Sequence, residues 1–232
     1  MKEPRKMDVT ERESDELYET REPGRVEAFS DGVFAVAITL LVLEIKIPAA
    51  HDLALVHDLL SQWPQYVAYV YSFVIIGIYW MNHHHIFKYI RRVDQVLLFF
   101  NVVSLLWIVL MPFGAGLLAE YIGRERTLEQ YAALVFSGLG LFTGIHFAIV
   151  WRYAAWQRHL LQPGLDEGVI KSLTRDYDLG IVFCAAALAL VFVNVPLSLG
   201  LTLAIGMFFA RPARMRSARA VRRPSHPLGP DG

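Results

Sequence analysis

Charge in this chain is confined to its two ends and a few short linkers, and the sequence between them is almost continuously apolar. That segregation limits the possible folds more than any motif does. In a lipid environment every backbone N–H and C=O must be paired within the chain, and a run of about 20 apolar residues at 1.5 Å rise crosses a ~30 Å hydrocarbon core as a helix. The 232 residues are 55% hydrophobic and 19% charged, where soluble domains average ~45–50% and ~25%. A disordered chain, a disulfide scaffold and a collagen-like repeat are excluded. So is a nucleic-acid binder relying on overall basicity, because 22 basic residues are matched by 22 acidic ones. The pattern predicts an all-α polytopic membrane protein with no nucleic-acid partner.

Five apolar stretches carry the expected spans. They are Val26 to Ile47, Tyr66 to His83 after the start signal Trp63-Pro64, Gln95 to Leu118, Leu128 to Trp151, and Leu179 to Ala210. The last is too long for one helix, and Asn194-Val195-Pro196 divides it with a turn. Six transmembrane helices result. Lys and Arg then sort by side. Nineteen fall in the N-terminal segment, the 84–94 and 152–176 linkers and the C-terminal tail, while only Lys46, Arg124 and Arg126 fall on the other side. By the positive-inside rule both termini are cytoplasmic. A five-span alternative would place the six-arginine tail outside.

The expected organisation is a cytoplasmic N-terminal segment (1–24), a six-helix membrane domain (25–210) and a disordered basic cytoplasmic tail (211–232). The first residues lack the pattern of a cleaved leader, so insertion is expected to begin at the first retained helix. The run to Glu22 alternates charges and reads as a loose helix. The single cysteine, Cys184, lies in an apolar run and is expected to act as a small buried hydrophobe. The tail arginines are expected to set topology, with anionic lipid headgroups as their other partner.

Polar residues inside apolar spans are expensive and therefore informative. Arg25, Glu27, Ser30 and Asp31 lead directly into the first span, and Asp31 is followed by twelve uncharged residues. Positions 27, 31 and 34 share one helix face, and Asp31 and Ser30 are expected to bond laterally to other helices. Two readings stay open for this cluster, a cap that anchors helix ends and an ion attractor at a cytoplasmic mouth. Val36, Leu40 and Leu43 follow at i, i+4 and i+7 with Thr39 beside them, which by periodicity alone is ordinary helix packing. Glu44 near the outer end is either a mouth residue or a partner for Lys46.

The second span ends in Trp80-Met-Asn-His83-His84-His85. Consecutive helical residues point about 100° apart, so three adjacent histidines do not converge on one ion, and no metal is expected. A histidine donating to Asp31 or Ser30 is expected instead. Asn101, Ser104 and Trp107 are placed to face the same polar seam, and His146 to bond a neighbouring helix. Nucleotide, hydrolase, zinc-protease and redox motifs are absent, as is the carbonyl-filter sequence TVGYG. No enzyme activity and no cofactor are expected.

Arg25-x-x-x-Phe29-Ser30-Asp31-Gly-Val-Phe-Ala35, continuing to Glu44, resembles the signature of the prokaryotic transmembrane-protein-175 family of potassium channels. The Trp80…His83-His84…Phe87 cluster and the span layout are similar to that family as well. The resemblance implies a homotetramer in the bacterial inner membrane, in contact with membrane lipids, whose first helix lines a central pore. It implies a passive channel for potassium ions, modestly selective over sodium, with Val36, Leu40 and Leu43 as an aliphatic constriction and Thr39 associated with selectivity. Val36 is shorter than the Leu or Ile usual at that level of the family pore. Arg25, Phe29, Ser30, Asp31, Trp80, His83 and His84 would form the interhelical network, and Glu44 an acidic pore mouth. Two other classes remain in view: a proton-coupled transporter using Asp31 and the His83–His85 cluster, and a non-conducting membrane scaffold.

Overall fold

The computed structural model describes residues 23–46 and 55–209, and its regular structure there is helical apart from one antiparallel bridge between Ile90 and Leu161. Helix α1 (Pro23–Leu40) tightens into a 3-10 turn over Leu41–Glu44. A short α2 (Leu55–Ser61) precedes α3 (Trp63–Phe87), α4 (Gln95–Tyr121), α5 (Arg126–Trp156), α6 (Glu167–Leu190) and α7 (Val195–Phe209). The stretches Pro23–Glu44, Gln95–Tyr121 and Arg126–Trp156 are long and apolar enough to cross a membrane by length and composition. Helices α3 and α6 have comparable length, 25 and 24 residues, with polar groups gathered towards one end.

Local chemistry sets the helix ends. Pro64 sits in the first turn of α3, where its missing N–H costs nothing. Asp94 caps α4 by accepting from the Leu97 N–H at 2.7 Å, and its other oxygen accepts from the Tyr153 hydroxyl at 2.7 Å, tying α4 to α5. Asn194 caps α7 through the Leu197 N–H at 2.8 Å. The division expected at Asn194-Val195-Pro196 is therefore a helix cap followed by a first-turn proline.

Several boundaries differ from expectation. α1 begins at Pro23, and α6 begins at Glu167, well before Leu179. The added turns of α6 are amphipathic: Ile170 and Leu173 are buried while Lys171 and Arg175 are exposed. Hydropathy alone does not register such turns, because their charges are carried on one face. The N-terminal charged run and the arginine tail lie outside the described residues.

Successive long helices run in opposite directions. At one end, Arg91 N–H donates to Leu160 O at 2.7 Å and Gln162 N–H to Tyr89 O at 2.9 Å, which brings the 88–94 and 157–166 linkers together. At the other, Lys46 pairs with Glu120, and Gln130 donates to the carbonyls of Val191 and Phe192 at 3.3 and 3.1 Å. The core between these ends is built from Phe34, Leu41, Ile76, Ile86, Phe136 and Trp151.

Helices α4 and α5 pack most closely around Gly114. A Cβ there would stand 2.9 Å from Leu139 Cδ1 and 3.4 Å from the Phe136 Cα. Pro112, buried inside α4, removes one backbone donor just before this contact. Gly114→Val is expected to force the pair apart and lower stability by about 1–3 kcal/mol, read as a lower thermal midpoint of the detergent-solubilised protein.

Candidate functional site

Helix α1 has two faces of opposite character. Val26, Ser30, Phe34, Ala37 and Leu41 are buried, at spacings of four, four, three and four residues, against α3 and α4. The opposite face carries Phe29, Gly32, Val36, Thr39, Leu40 and Leu43, all exposed. Leu43 is 74% exposed and Val36 56%, while Phe34 is 1%.

The grip is a directional chain of hydrogen bonds. His83 Nε2 donates to Asn101 Oδ1 at 2.9 Å, Asn101 Nδ2 donates to Ser30 Oγ at 3.0 Å, and Ser30 Oγ donates to the Val26 carbonyl at 2.8 Å. His83, Asn101 and Ser30 are 1%, 0% and 0% exposed. Three helices are thus joined through side chains that have no access to water. His83 also lies between aromatic rings, stacked on Phe87 at 4.5 Å and tilted against Phe34 at 5.6 Å. Its Nδ1 has no hydrogen-bond partner among the described residues. That leaves the neutral imidazole with its proton on Nε2, where the chain begins.

Two further links reinforce the same end of α1. Trp80 Nε1 donates to Asp31 Oδ1 at 2.8 Å, and His84 Nδ1 donates to Glu27 Oε1. Trp80 and His84 stack, centroids 6.0 Å apart and planes 18° from parallel. Glu27 and Asp31 are four residues apart, so one stripe of α1 presents two carboxylates to two stacked rings on α3.

The histidines diverge as their helical spacing requires: His83 enters the core, His84 meets Glu27, and His85 turns to Tyr89 in the linker that follows the helix. Among the described residues no histidine hydrogen-bonds to Asp31 or Ser30. Trp80 and Asn101 take those places, because the rotation of α3 brings the indole to α1 and directs His83 at α4. Arg25 and Phe29 also depart from expectation. Both are exposed on the outward face, and Arg25 makes no hydrogen bond or ion pair with other described residues. Glu27, named in the charged cluster but not in the interhelical network that the resemblance implies, joins that network through His84. Asn101 was placed on the seam, and it is the centre of the chain.

Other polar positions resolve differently. Ser104 is buried and donates to the Asn101 carbonyl at 2.7 Å, within its own helix. Trp107 leaves the seam and stacks on Phe142 of α5 at 4.7 Å. His146 bonds the Phe142 carbonyl of its own helix at 2.9 Å, not a neighbouring one. Cys184 is half-buried, not enclosed.

At the far end of α1, Glu44 does not pair with Lys46. Lys46 reaches Glu120, which Arg124 also binds at 2.6 Å, and the Lys46 N–H donates to Gln65 Oε1 at 3.1 Å. The Glu44 carboxylate lies over Gly116, where only a residue without Cβ leaves it room. Thr39 Oγ1 donates to the Val36 carbonyl at 2.9 Å on the outward face. Among the described residues no group of three His, Cys, Asp or Glu could hold a metal ion.

Residues 25–112 match the family model of the endosomal/lysosomal potassium channel TMEM175. A potassium channel of Streptomyces collinus is 42% identical over 179 residues, covering 77% of this chain and 86% of that protein. The crystal structure of a Chamaesiphon minutus homologue of the lysosomal potassium-selective channel TMEM175 superposes with a TM-score of 0.71 at 40% identity, over 84% of this chain and 97% of the other. The rat endosomal/lysosomal proton channel TMEM175 is 32% identical over 184 residues, 71% of this chain and 35% of its own length.

Asn101→Ala would leave the His83 Nε2–H without a partner and remove the donor to Ser30 Oγ, whose own O–H keeps the Val26 carbonyl. An orphaned buried donor costs about 1–3 kcal/mol. The variant is expected to unfold at clearly lower temperature than Trp80→Ala, whose partner Asp31 is half-buried and open to other donors. Thermal melts of the two side by side check the ranking.

Proposed function

The chain belongs to the TMEM175 family, and on that premise we propose that it forms a passive, potassium-permeable cation channel of the bacterial inner membrane. Its six long helices cross the bilayer with both termini in the cytoplasm. Four copies surround a central path lined by the outward face of α1. One observation carries this reading. α1 is held from one side by buried packing and the His83–Asn101–Ser30 chain, while Val36, Thr39, Leu40 and Leu43 lie on its opposite face, exposed among the described residues.

The chemistry of that face suits a passive pore. Permeation through a hydrated path needs no catalytic group, only a constriction that wets and dewets. Rings of Val36, Leu40 and Leu43 offer no oxygen to replace an ion's hydration shell, so discrimination rests on radius, partial dehydration and the hydroxyl of Thr39. That hydroxyl donates along its own helix, which leaves oxygen lone pairs for water or a cation. The modest preference for potassium over sodium follows from the lower cost of stripping water from the larger ion. Asp31, midway along α1, and Glu44, in the 3-10 turn after it, lie against neighbouring helices. Their influence on entering cations is through the electrostatic field, not direct coordination.

Flux in liposomes tests the reading. Leu40→Ala is expected to raise potassium flux under an outward potassium gradient and to weaken the preference over sodium, with no pH gradient needed. Unaltered permeation in that variant would move the constriction elsewhere. Saturable flux that requires a pH gradient would instead mark a proton-coupled transporter, and a tetramer without any flux would mark a scaffold.

A further inference from the structure

We infer that the subunit carries an internal lipid site, a slot between α3, α5, α6 and α7 that takes one acyl chain of a membrane phospholipid. The inference rests on the reading that these helices cross a bilayer, but not on the pore. The cavity is a partly open slot. It runs beside α3 from Ile75 to His85 and beside α6 from Leu173 to Cys184, a length of roughly 15 Å at 1.5 Å rise per residue. A lining that follows two helices for about three turns, open along one side, suits a flexible methylene chain better than a rigid fused ring.

The wall has a polarity gradient. Most of its length is apolar, and Asn82, His85, Asp176 and Tyr177 gather at one end. They lie on the last turns of α3 and in the first half of α6, towards the end of the bundle where the basic linkers meet. His85, Asp176 and Tyr177 also have interactions of their own, so this polar end is already organised. A phospholipid of the adjacent leaflet has the matching order, with ester and headgroup at the polar level and hydrocarbon inward. Apolar cavities stay dry and accept apolar guests, and at this depth in a membrane acyl chains are the abundant apolar species.

Three helices each bring a glycine to the wall, Gly144, Gly180 and Gly206. A Cβ on Gly206 would meet Ile78 at 3.1 Å and one on Gly180 would meet Phe209 at 3.8 Å, whereas nothing lies within 4 Å of the position at Gly144. A side chain added at Gly144 therefore has free space on the cavity wall. On the α6 and α7 side, Gly180, Ile205 and Phe209 are only partly buried, which leaves a lateral way in from the surrounding lipid. The slot stands against α3 on a different side from Trp80, His83 and His84, so a bound chain would brace the helix that holds α1.

Native mass spectrometry of the full chain, reconstituted with phosphatidylethanolamine and phosphatidylglycerol and then taken up in mild detergent, counts the lipid retained per subunit. Wild type is expected to keep lipid and Gly144→Leu to lose it. Gly138→Leu, on the same helix with open space but off the cavity, is expected to match wild type. Cys184, the single cysteine of the chain and part of the slot wall, gives a second readout without a cavity-filling variant. Its alkylation by N-ethylmaleimide should slow severalfold when lipid is added to delipidated protein. A thiol at outward-facing Val182, in a Cys184→Ala background, should show no such protection. Equal lipid counts in wild type and Gly144→Leu, or Cys184 labelling indifferent to lipid, would overturn the site. Flotation of the protein with vesicles tests membrane embedding separately, and ion flux tests the channel reading.

Discussion

A helix that borders a shared path on one side must be held entirely from the other, and in this subunit the holding is done by the buried chain from His83 through Asn101 to Ser30. Each bond of this kind contributes only about 1 kcal/mol net, but each buried group left without its partner costs more than that. The cost fixes the rotation of α1. If the helix turned by one residue, Ser30 and the Asn101 amide would lose each other and Phe34 would leave its contact with His83. Apolar packing by Ala37 and Leu41 continues the same face, but small aliphatic surfaces tolerate rotation in a way that donor–acceptor pairs do not.

The two ends of α1 are secured by different chemistry. At the end near the basic linkers, two carboxylates meet an indole and an imidazole that stack on each other. At the other end the helix tightens into a 3-10 turn, and Lys46, Glu120 and Arg124 form an exposed ion cluster beside it. Exposed ion pairs contribute little and are screened by salt. The buried chain is therefore the stronger anchor, and at the far end it is the packing of Leu41 and the seat of Glu44 over Gly116 that hold the helix, more than the ion cluster.

Much of this architecture was legible from sequence for simple reasons. Long apolar segments bounded by linkers identify the helices, and Asn194 followed by Pro196 marks the break before α7 because a cap and a first-turn proline are local signals. The outward stripe of Val36, Leu40 and Leu43 follows from periodicity, but which face it occupied did not. The amphipathic first turns of α6 escaped because their charges mask the buried Ile170 and Leu173 in any average over a window. Glu27 was legible as part of a charged cluster at the helix start, but its partner His84 was not, since spacing along α1 says nothing of what stands across from it.

The amino-acid sequence by itself determined the helices, their alternation in direction and the segregation of basic linkers to one end, since each depends on short-range pattern and on charge position. Only the tertiary structure decided the partners. Asp31 could have met any of several donors on α3, and it met Trp80 while His83 passed inward to Asn101. Lys46 had Glu44 two residues away and reached Glu120 on α4 instead. Helical periodicity states which residues share a face, but not how that face is rotated against its neighbour or how far it slides along it. Those two rigid-body parameters are set by the fit of Gly114, Phe136, Phe34 and His83 in the core, and sequence spacing holds no record of them.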